Sequence, residues 1–284
     1  MQSPGKTPEV PAVGIAHIDW TGAVAFMVLN AATLAALFFV RPTLDAAIVG
    51  FVTFALRTFA LTAGYHRYFS HRSFRTSRAF QLLLAVLGCA SFQQGPLWWA
   101  GHHRHHHRNT DRPTDVHSPR HQGFLWAHVG WVFAYRNAPT RLDLVKDLGR
   151  FPELRWLDRH HKLPAFAMAA AAYAAAGMPG LVWGFLLPTV LLFQTTFLVN
   201  SMAHGWGTRR YDTKDDSRNN WWVALLTFGE GWHNNHHRHP GSARQGFFWW
   251  ELDVTWLILR ALSCAGVVWD LQLPPRALLE RKAA

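Results

Sequence analysis

The sequence has few of the cysteine and acidic residues that many metal and redox proteins use as ligands. Only two cysteines, Cys89 and Cys264, occur in 284 residues, and both lie in apolar stretches without a CxxC pair. This usage excludes a thiolate metal site and a disulfide framework. Acidic residues are also scarce, with 17 Asp and Glu against 28 Lys and Arg. A soluble di-iron bundle uses Glu-x-x-His motifs on two facing helices, and the chain has no such pair of motifs.

Long segments without charge predict membrane spans. Residues 20–40 hold no charged side chain, and at ~1.5 Å per residue they cross a ~30 Å hydrocarbon layer. Residues 44–65 are apolar apart from Asp45 and Arg57, and a Gly-Met-Pro-Gly turn divides the uncharged residues 163–203. We therefore predict an all-α membrane protein with four transmembrane helices in two hairpins. The spans are at about 20–40, 44–65, 163–177 and 181–203, and residues 66–162 and 204–284 form a helical cap, all within a single domain over 1–284.

The cationic residues predict the orientation. Of the 28 Lys and Arg, 15 lie between residues 66 and 163 and ten follow residue 203, whereas the two outer turns hold only Arg41. The positive-inside rule therefore places both termini, the cap and the active site in the cytoplasm, in an integral protein of a bacterial inner membrane.

Residues 1–17 lack the pattern of a signal peptide. The net charge of +11 fits anionic lipid head groups, so we expect membrane lipids and no nucleic acid as partners.

Two further apolar segments are predicted to lie along the membrane surface. Residues 79–100 are uncharged, but the sequence Gln-Gln-Gly-Pro at 93–96 interrupts them. A fifth span there would also separate the histidines before it from those after it. We therefore predict an interfacial or re-entrant helix over 79–100, and an interfacial amphipathic helix over 254–269, which contains Arg260.

Histidine is abundant, with 18 copies, and eleven of them fall in four groups. Neutral imidazole is a common ligand of iron, copper and zinc. The groups are HRYFSH with His66 and His71, HHRHHH over 102–107, the lone His204, and HNNHH with His233, His236 and His237. In HNNHH the positions i, i+3 and i+4 share one helical face, so three imidazoles can converge on metal. The run 102–107 offers this spacing in two registers, between which helical periodicity does not choose.

The other two groups, HRYFSH and the lone His204, lack this i, i+3, i+4 spacing. His66 and His71 are five residues apart, roughly 140° around an ideal helix. Either the helix unwinds there or the two residues reach different metals. His204 follows the fourth span and emerges on the same side as the other groups. About nine imidazoles exceed the three or four of a zinc centre, which implies two metals. Taken alone, HHRHHH also fits a metal-sequestering tract or a pH-responsive basic patch.

The motifs resemble a known family in their order along the chain. TAGYHRYFSHRSF, WWAGHHRHHH, GFLWAHVGW, VNSMAH and GEGWHNNHHRHPGSARQGFFWWELDVTW are similar to segments of membrane fatty acid desaturases of the stearoyl-CoA desaturase type. The likeness is closer to the bacterial, cyanobacterial and plant delta-9 branch. The family's boxes, HxxxxH, HRxHH and HNxHH, select the second register and leave His102 and His105 as supporting or incidental residues. The implied iron ligands are His66, His71, His103, His106, His107, His204, His233, His236, His237 and, through a water, Asn200.

The resemblance implies an O₂-dependent acyl desaturase with two iron ions (Fe²⁺/Fe³⁺) that forms a cis double bond at delta-9 in an acyl-CoA or acyl-lipid. No catalytic residue beyond the metal ligands is expected. The chain has no flavin fingerprint or haem module. Electrons would therefore come from a ferredoxin or a cytochrome b5-like carrier with its reductase. The alternatives are a related di-iron hydroxylase or oxidative decarboxylase and, in another class, a divalent-metal transporter or sensor.

Further candidates surround the predicted ligands. Glu230 is placed to hydrogen-bond a ligand imidazole. Arg57, deep in span two, is either functional or pairs with an Asp or a backbone carbonyl in the bundle, and its charge has the wrong sign for a cation path. An apolar tunnel would position the acyl chain, although each lining candidate also fits ordinary packing at a membrane interface. These lining candidates are Trp98, Trp99, Trp126, Trp131 and Trp232.

Overall fold

The fold is built almost entirely of helices, as predicted. The computed structural model describes residues 17–280, so the prediction about a signal peptide lies outside the described residues. The helices are α1 (Trp20–Phe39), α2 (Leu44–Phe59, continued as a π-helix over Ala60–Ser70), α3 (Arg78–Cys89), α4 (Pro96–Asn109), α5 (Pro119–Gln122), α6 (Phe124–His128), α7 (Lys146–Gly149), α8 (Pro152–Arg159), α9 (Leu163–Leu181, continued as a π-helix over Val182–Leu186), α10 (Leu187–Ser201), α11 (Trp221–Leu226), α12 (His233–Arg238), α13 (Val254–Cys264) and α14 (Arg276–Leu279). Short 3₁₀ turns cover Gly130–Phe133, Tyr135–Asn137 and Leu142–Leu144. Strands β1 (Arg75–Thr76) and β2 (Val268–Trp269) pair antiparallel.

Three helices of the described part are long and apolar enough to cross a membrane. They are Trp20–Phe39, Leu44–Ser70 and Leu163–Ser201. Two of them begin at side-chain caps, because Asp19 accepts a hydrogen bond from the Gly22 N–H at 3.0 Å and Thr43 accepts one from the Ala46 N–H at 3.2 Å. Such caps satisfy N–H groups that have no partner within the helix. The protein is therefore associated with a membrane through apolar helices.

The helix Leu163–Ser201 folds back on itself. Ala176 and Gly177 leave helical dihedrals, and Gly177 has a φ of 62°, a value that favours glycine. Ala165 and Phe185 consequently belong to one packed cluster, although a straight helix would hold them about 30 Å apart. The reversal lies at the start of the Gly-Met-Pro-Gly segment that the sequence marks as a turn. It divides the apolar run into two antiparallel helices.

The helix that carries His66 and His71 changes its winding. It becomes a π-helix over Ala60–Ser70, in which hydrogen bonds run from residue i to residue i+5. The His71 N–H donates to the His66 carbonyl at 3.3 Å. Both imidazoles then lie on one side of the helix, so the first alternative posed from the sequence, altered winding, is the one the structure shows. The helix also continues beyond the predicted span, to Ser70.

The two predicted surface helices have different outcomes. Residues 79–100 form two helices, with a break where Gln94 has a φ of 66°, and α3 is only 12 residues long. No fifth span is formed in the described part of the chain. The prediction of one helix over 254–269 is wrong beyond Cys264. Gly266, with a φ of 70°, ends the helical stretch, and Val268–Trp269 pairs with β1.

Arg57 of α2 is fully buried against the π-helical segment Val182–Leu186 and the start of α10. Its Nε donates to the Thr53 carbonyl at 2.9 Å, its Nη1 donates to Thr189 Oγ1 at 2.6 Å, and its guanidinium lies 4.8 Å from the centre of the Phe185 ring. Its hydrogen-bond partners among residues 17–280 are carbonyl and hydroxyl oxygens. Oxygen atoms and an aromatic face therefore stabilise this charge. The contacts agree with the structural alternative of a carbonyl partner within the bundle.

Candidate metal centre

Nine imidazoles gather in two groups beside the ends of the long apolar helices. In each group the ring nitrogens that could bind a metal lie within 4.8 Å of one another. The first group is His66, His71, His103, His107 and His236. The second group is His106, His204, His233 and His237, and Asp115 with His117 extends it at His106. These nine imidazoles are the nine that the family pattern selects.

The second and third histidine boxes are each divided between the two groups, whereas His66 and His71 of the first box both belong to the first group. Around an α-helix, residues i and i+4 lie about 40° apart, whereas residues i+3 and i+4 lie about 100° apart. The middle histidine of each divided box therefore faces the other group. The expectation that three imidazoles of one box converge on one metal is wrong for this reason. The first group takes His103, His107 and His236, and the second takes His106, His233 and His237.

The spacing of the ring nitrogens fits metal coordination. The Nε2 atoms of His71 and His103 are 2.8 Å apart, and those of His204 and His233 are 3.0 Å apart. Two nitrogens bound at right angles to a metal, each at roughly 2.1 Å, would be about 3.0 Å from each other. The buried Nε2 of His106 has no hydrogen-bond partner in the described residues. The lone pairs of these nitrogens are thus placed where a cation would receive them.

Carboxylates contact the second ring nitrogen, Nδ1, of four imidazoles. Three of these contacts measure 3.0–3.1 Å. A carboxylate at Nδ1 fixes the Nδ1–H tautomer, which leaves the Nε2 lone pair for a metal. Four negative charges behind the imidazoles also balance two divalent cations. The pairs are His66 with Glu230, His106 with Asp115, His204 with Asp111 and His237 with Asp215.

Burial keeps most of these imidazoles neutral. Desolvation and neighbouring imidazoles hold the pKa far below its usual range at five positions in the cap: His71, His103, His107, His233 and His236. Burial lowers the pKa of His237 to about 4. Burial opposes the charged form of His204 as well, but its hydrogen bond to Asp111 raises the pKa overall. Neutral imidazole is the form that binds metal.

The aspartates behind the imidazoles are ionised. Burial by itself would raise the pKa values of Asp111, Asp115 and Asp215, but their contacts with His204, His106 and His237 hold them well below the usual range. An ionised carboxylate at Nδ1 strengthens the imidazole as a metal ligand. The site therefore combines neutral nitrogen donors with fixed negative charge, a combination suited to a cation.

Glu230 is held by a buried arginine as well as by His66. Arg67 Nη2 lies 3.0 Å from Glu230 Oε1 and 2.9 Å from Asp253 Oδ1. Glu230 stands three residues before His233, which is the one Glu-x-x-His spacing in the chain. Its carboxylate nevertheless faces His66 and Arg67 and belongs to neither nitrogen group. The only motif of the soluble di-iron type thus supports an imidazole instead of joining the donor set.

Three cavities follow one another past the two groups. The outer cavity, of about 500 Å³, lies between α1, α9 and α10. The connecting cavity, of about 40 Å³, shares Trp99 and Trp131 with the outer cavity. The inner cavity, of about 50 Å³, lies between α2 and α10 and shares Trp99 and His103 with the connecting cavity. Gln93 Nε2 donates to Thr196 Oγ1 at 3.1 Å beside this narrow part. The cavities form a mainly apolar path to the imidazoles.

The five predicted tunnel tryptophans divide into two sets. Three of them line the cavities, namely Trp98, Trp99 and Trp131. Trp126 and Trp232 line none of the three cavities. Their indole N–H groups donate to the carbonyls of Val116 at 3.0 Å and Leu252 at 2.8 Å, and these bonds hold the rings in the surrounding protein. Arg57 also lines none of the three cavities.

The remaining predicted residues have distinct positions. Asn200 lines the inner cavity together with His106 and His233, beside the second group. His102 and His105 belong to neither group. The Nε2 of His102 lies 3.3 Å from the Pro139 carbonyl and that of His105 lies 3.0 Å from the Thr114 carbonyl. These contacts hold both rings away from the gathered nitrogens.

Comparison with known proteins gives the family. The profile of the fatty acid desaturase family matches residues 44–268. The chain belongs to this family. It is 38% identical over 257 residues to an sn-2 palmitoyl-lipid 9-desaturase of Nostoc sp., covering 88% of this chain and 89% of that protein. It is also 38% identical over 226 residues to an sn-1 stearoyl-lipid 9-desaturase of Synechocystis sp., covering 78% of this chain and 70% of that protein.

A plant relative is longer than this desaturase. The chain is 42% identical over 226 residues to a probable chloroplastic lipid desaturase of Arabidopsis thaliana, with 78% of this chain but only 62% of that protein covered. The resemblance drawn from the histidine motifs is therefore confirmed. The family indicates an iron-dependent oxidoreductase that acts on fatty acyl chains in a lipid context.

Sequence reasoning about this desaturase missed the aspartates behind the imidazoles. Asp111 and Asp115 follow the second box in the segment TDRPTDVH, and Asp215 lies in TKDDS before the third box. A signal was available, because buried ligand imidazoles need acceptors for Nδ1–H, and acidic residues are scarce in this chain. Which aspartate meets which imidazole could not be read from the sequence, since Asp111 and His204 are 93 residues apart.

Proposed function

We propose that this desaturase uses O₂ and two iron ions to introduce a cis double bond at delta-9 into a saturated acyl chain. The observation that carries the proposal is the pair of imidazole groups beside a mainly apolar path. The reaction removes two hydrogen atoms from adjacent methylenes. Together with O₂, two electrons and two protons, it gives the double bond and two waters. Relatives from two cyanobacteria, named as 9-desaturases of lipids, support the proposed position.

The nitrogen donors would hold one iron in each group. The first group would supply five imidazoles and the second four. The family resemblance adds a water at the second group, held by Asn200, which lies beside His106 and His233. Bound iron supplies the electron chemistry with O₂ that breaks an unactivated C–H bond, for which a side-chain acid or base is too weak. Asp111, Asp115, Asp215 and Glu230 keep the imidazoles in the tautomer that binds metal.

The chain's own task in the reaction is to position the substrate. Trp99 stacks on His103, with ring centres 4.9 Å apart, so the wall of the path is fixed to a proposed ligand. The hydrogen bond from Gln93 to Thr196 narrows the path at the same level. An acyl chain threaded there would present one pair of methylenes to the iron. A shift of about 1 Å can cost 10²-fold in rate, which explains a rigid wall.

We also propose the membrane arrangement. The four spans form two hairpins in the bacterial inner membrane, with both termini and the cap in the cytoplasm as a single domain over residues 1–284. The reversal at Ala176 and Gly177 and the distribution of lysines and arginines support this topology. Labelling of single cysteines placed at Arg41 and at Arg108 tests it. Only the residue at position 41 should react from outside intact cells, and the opposite result would reverse the orientation.

Electrons would come from an acidic carrier, such as a ferredoxin or a cytochrome b5-like protein with its reductase, that binds the cationic cap. Attraction between exposed charges weakens as salt screens it. We therefore expect the rate of reduction by the carrier to fall as ionic strength rises, while reduction by dithionite stays constant. Stopped-flow spectroscopy measures both rates, and a carrier rate independent of salt contradicts this docking.

Product analysis tests the proposal as a whole. The purified, iron-loaded protein is given saturated acyl-lipid or acyl-CoA with O₂ and a reducing system, and products are identified by gas chromatography with mass spectrometry. We expect two irons per chain and a cis delta-9 product. A hydroxylated acid or a terminal alkene would indicate the related oxygenase or decarboxylase. Metal flux across vesicles without any oxidised product would indicate a transporter.

A further inference from the structure

The outer cavity opens to the side of the helix bundle. Its edge residues Ala25, Lys162 and Phe166 are exposed, and the Phe166 side chain is 60% exposed. α1 packs against α10 and the π-helical segment before it, and so leaves a gap towards α9. At the start of α1 the Asp19 N–H donates to the Phe133 carbonyl at 2.7 Å, which ties this end to the cap. The gap between α1 and α9 therefore faces the lipid-exposed surface of the two helices.

Aromatic side chains hold the two walls of this cavity. On one side Phe26 of α1 packs against Phe193 of α10, with ring centres 5.2 Å apart. On the other side Phe92 packs against Phe166 of α9, with ring centres 5.4 Å apart. Each cluster joins elements on its own side, and none of these ring pairs spans α1 and α9. The opening is a gap between two separately packed walls, wide enough at its edge to expose Phe166.

Besides Gln93 and Gln94, the mainly apolar lining contains two groups that can bind an oxygen atom, on Trp131 and Lys162. Trp131 is only 8% exposed, and its buried indole N–H has no hydrogen-bond partner among residues 17–280. A buried N–H without an acceptor is costly, which points to an oxygen supplied by a bound molecule. Lys162 is the one charged side chain of the lining and lies at the exposed edge. The N–H donor of Trp131 matches the carbonyl oxygen of an ester, and the cation of Lys162 at the exposed edge matches a phosphate.

We propose that the outer cavity is a lateral port for a phospholipid of the bilayer. The acyl chain passes between α1 and α9, the Trp131 N–H donates to the ester carbonyl oxygen, and Lys162 pairs with the phosphate. This inference rests on the proposed function and names its acyl donor and route. The lipid is favoured over a soluble thioester because the opening is continuous with the lipid-facing surface of α1 and α9, and because a lysine beside acyl chains lies at the depth of head groups.

A plug in the port tests the route. The iron-loaded full chain in vesicles of dipalmitoyl phosphatidylglycerol is compared with Ala25→Trp, which fills the gap, and with Val24→Trp as control. Val24 is exposed on the same helix and lines none of the three cavities. We expect Ala25→Trp to lower desaturation at least about tenfold and Val24→Trp to retain it. Equal activity of the two variants, each with two irons, overturns the port.

The same experiment separates the port from the proposed function. If the unmodified chain desaturates no acyl donor, both the proposed function and the lateral port are contradicted. If it desaturates palmitoyl-CoA added in water at a rate that Ala25→Trp leaves unchanged, the function stands but the substrate enters from the cap. That second result overturns the lateral port alone.

A substitution that keeps the ring tests the carbonyl contact. Trp131→Phe removes the N–H, and Trp126→Phe is the control because its N–H donates to the Val116 carbonyl away from the path. We expect KM for the phospholipid to rise about three- to tenfold in Trp131→Phe, the value of one neutral hydrogen bond. The product should also become a mixture of positional isomers, since the chain is no longer held at its ester. An unchanged KM with a single isomer contradicts the contact.

Charge at the rim tests the head group. Lys162→Gln removes the cation that lines the cavity, and Arg159→Gln removes an exposed cation from the end of α8 that does not. We expect Lys162→Gln to lose a few-fold preference for phosphatidylglycerol over diacylglycerol, and Arg159→Gln to keep it. A preference that survives in Lys162→Gln removes the phosphate from the proposal.

Discussion

The two imidazole groups differ in how their ligands are fixed. In the second group three of four imidazoles have a carboxylate at Nδ1, whereas in the first group only His66 of five has one. The first group has more nitrogens and a ligand pair on a π-helix that continues a membrane-spanning helix. The second group gathers around His204, at the end of α10, and Asn200 lies beside it. The first group thus has the larger number of imidazoles, whereas carboxylates fix the orientation of most imidazoles in the second group.

On the proposal that each group holds one iron, this difference bears on which iron position would be more open. Five imidazoles would come close to filling the coordination sphere, whereas four imidazoles and a water would leave a position that can exchange. Fixed orientation compensates for a smaller ligand number, because each imidazole is held before the metal binds. We therefore expect the first group to tolerate changes behind its ligands better than the second.

The largest expected effect comes from removing a ligand in either group. His106→Ala and His236→Ala should each abolish desaturation, since both irons are needed, while the protein remains folded in the membrane. Iron analysis sharpens the comparison, because His106→Ala should lose the iron of its four-imidazole group and His236→Ala should retain part of its own. His105→Ala is the matched control with normal activity, because this ring lies outside both groups. Near-normal turnover in either ligand variant would exclude that residue from the metal site.

Removing a carboxylate should have the next largest effect. Asp215→Asn keeps the size of the side chain but weakens the hold on His237, so the second group should bind iron about 10- to 100-fold more weakly. Titration with an iron chelator measures this loss. Glu230→Gln makes the same change behind His66, and four other imidazoles should limit its effect on the first group. Equal losses in both variants would contradict the asymmetry.

Asn200→Ala should have a smaller effect on iron than on turnover. Its amide is proposed to hold a water at the second iron, so the variant should keep two irons per chain while kcat falls, by about tenfold if one hydrogen bond is lost. Asn200→Asp restores an oxygen at this position and serves as the comparison. Loss of iron in Asn200→Ala would mean that the side chain has a larger part in binding than the water contact implies.

The smallest expected effect belongs to His102. Its ring nitrogen faces the Pro139 carbonyl, so His102→Gln, which can keep that contact, should change activity less than about threefold. His103→Gln, one residue further on, should remove activity. The pair tests the register of the second box, since the other register would reverse the two results.

Much of the site was readable from local patterns. The family boxes named the nine imidazoles that the structure gathers, and charge-free length named the apolar helices. The division of the second and third boxes between two groups was not read correctly, although it follows from helical rotation. The sequence left the winding of the helix around His66 open, because the same residues can form either an α-helix or a π-helix. The helix predicted over 254–269 failed where Gly266 takes a positive φ.

The sequence by itself determined the apolar segments, because these depend on residue type, and its resemblance to the family boxes predicted the kind and the number of donors. Tertiary structure decided which aspartate supports which imidazole, which tryptophans face the path and where the outer cavity opens. Trp126 and Trp131 illustrate the limit, since the Trp126 N–H donates to a carbonyl, whereas the Trp131 ring lines a cavity and its N–H has no partner among the described residues. Such choices arise from contacts between distant segments, whose geometry depends on how whole helices pack and not on any local pattern.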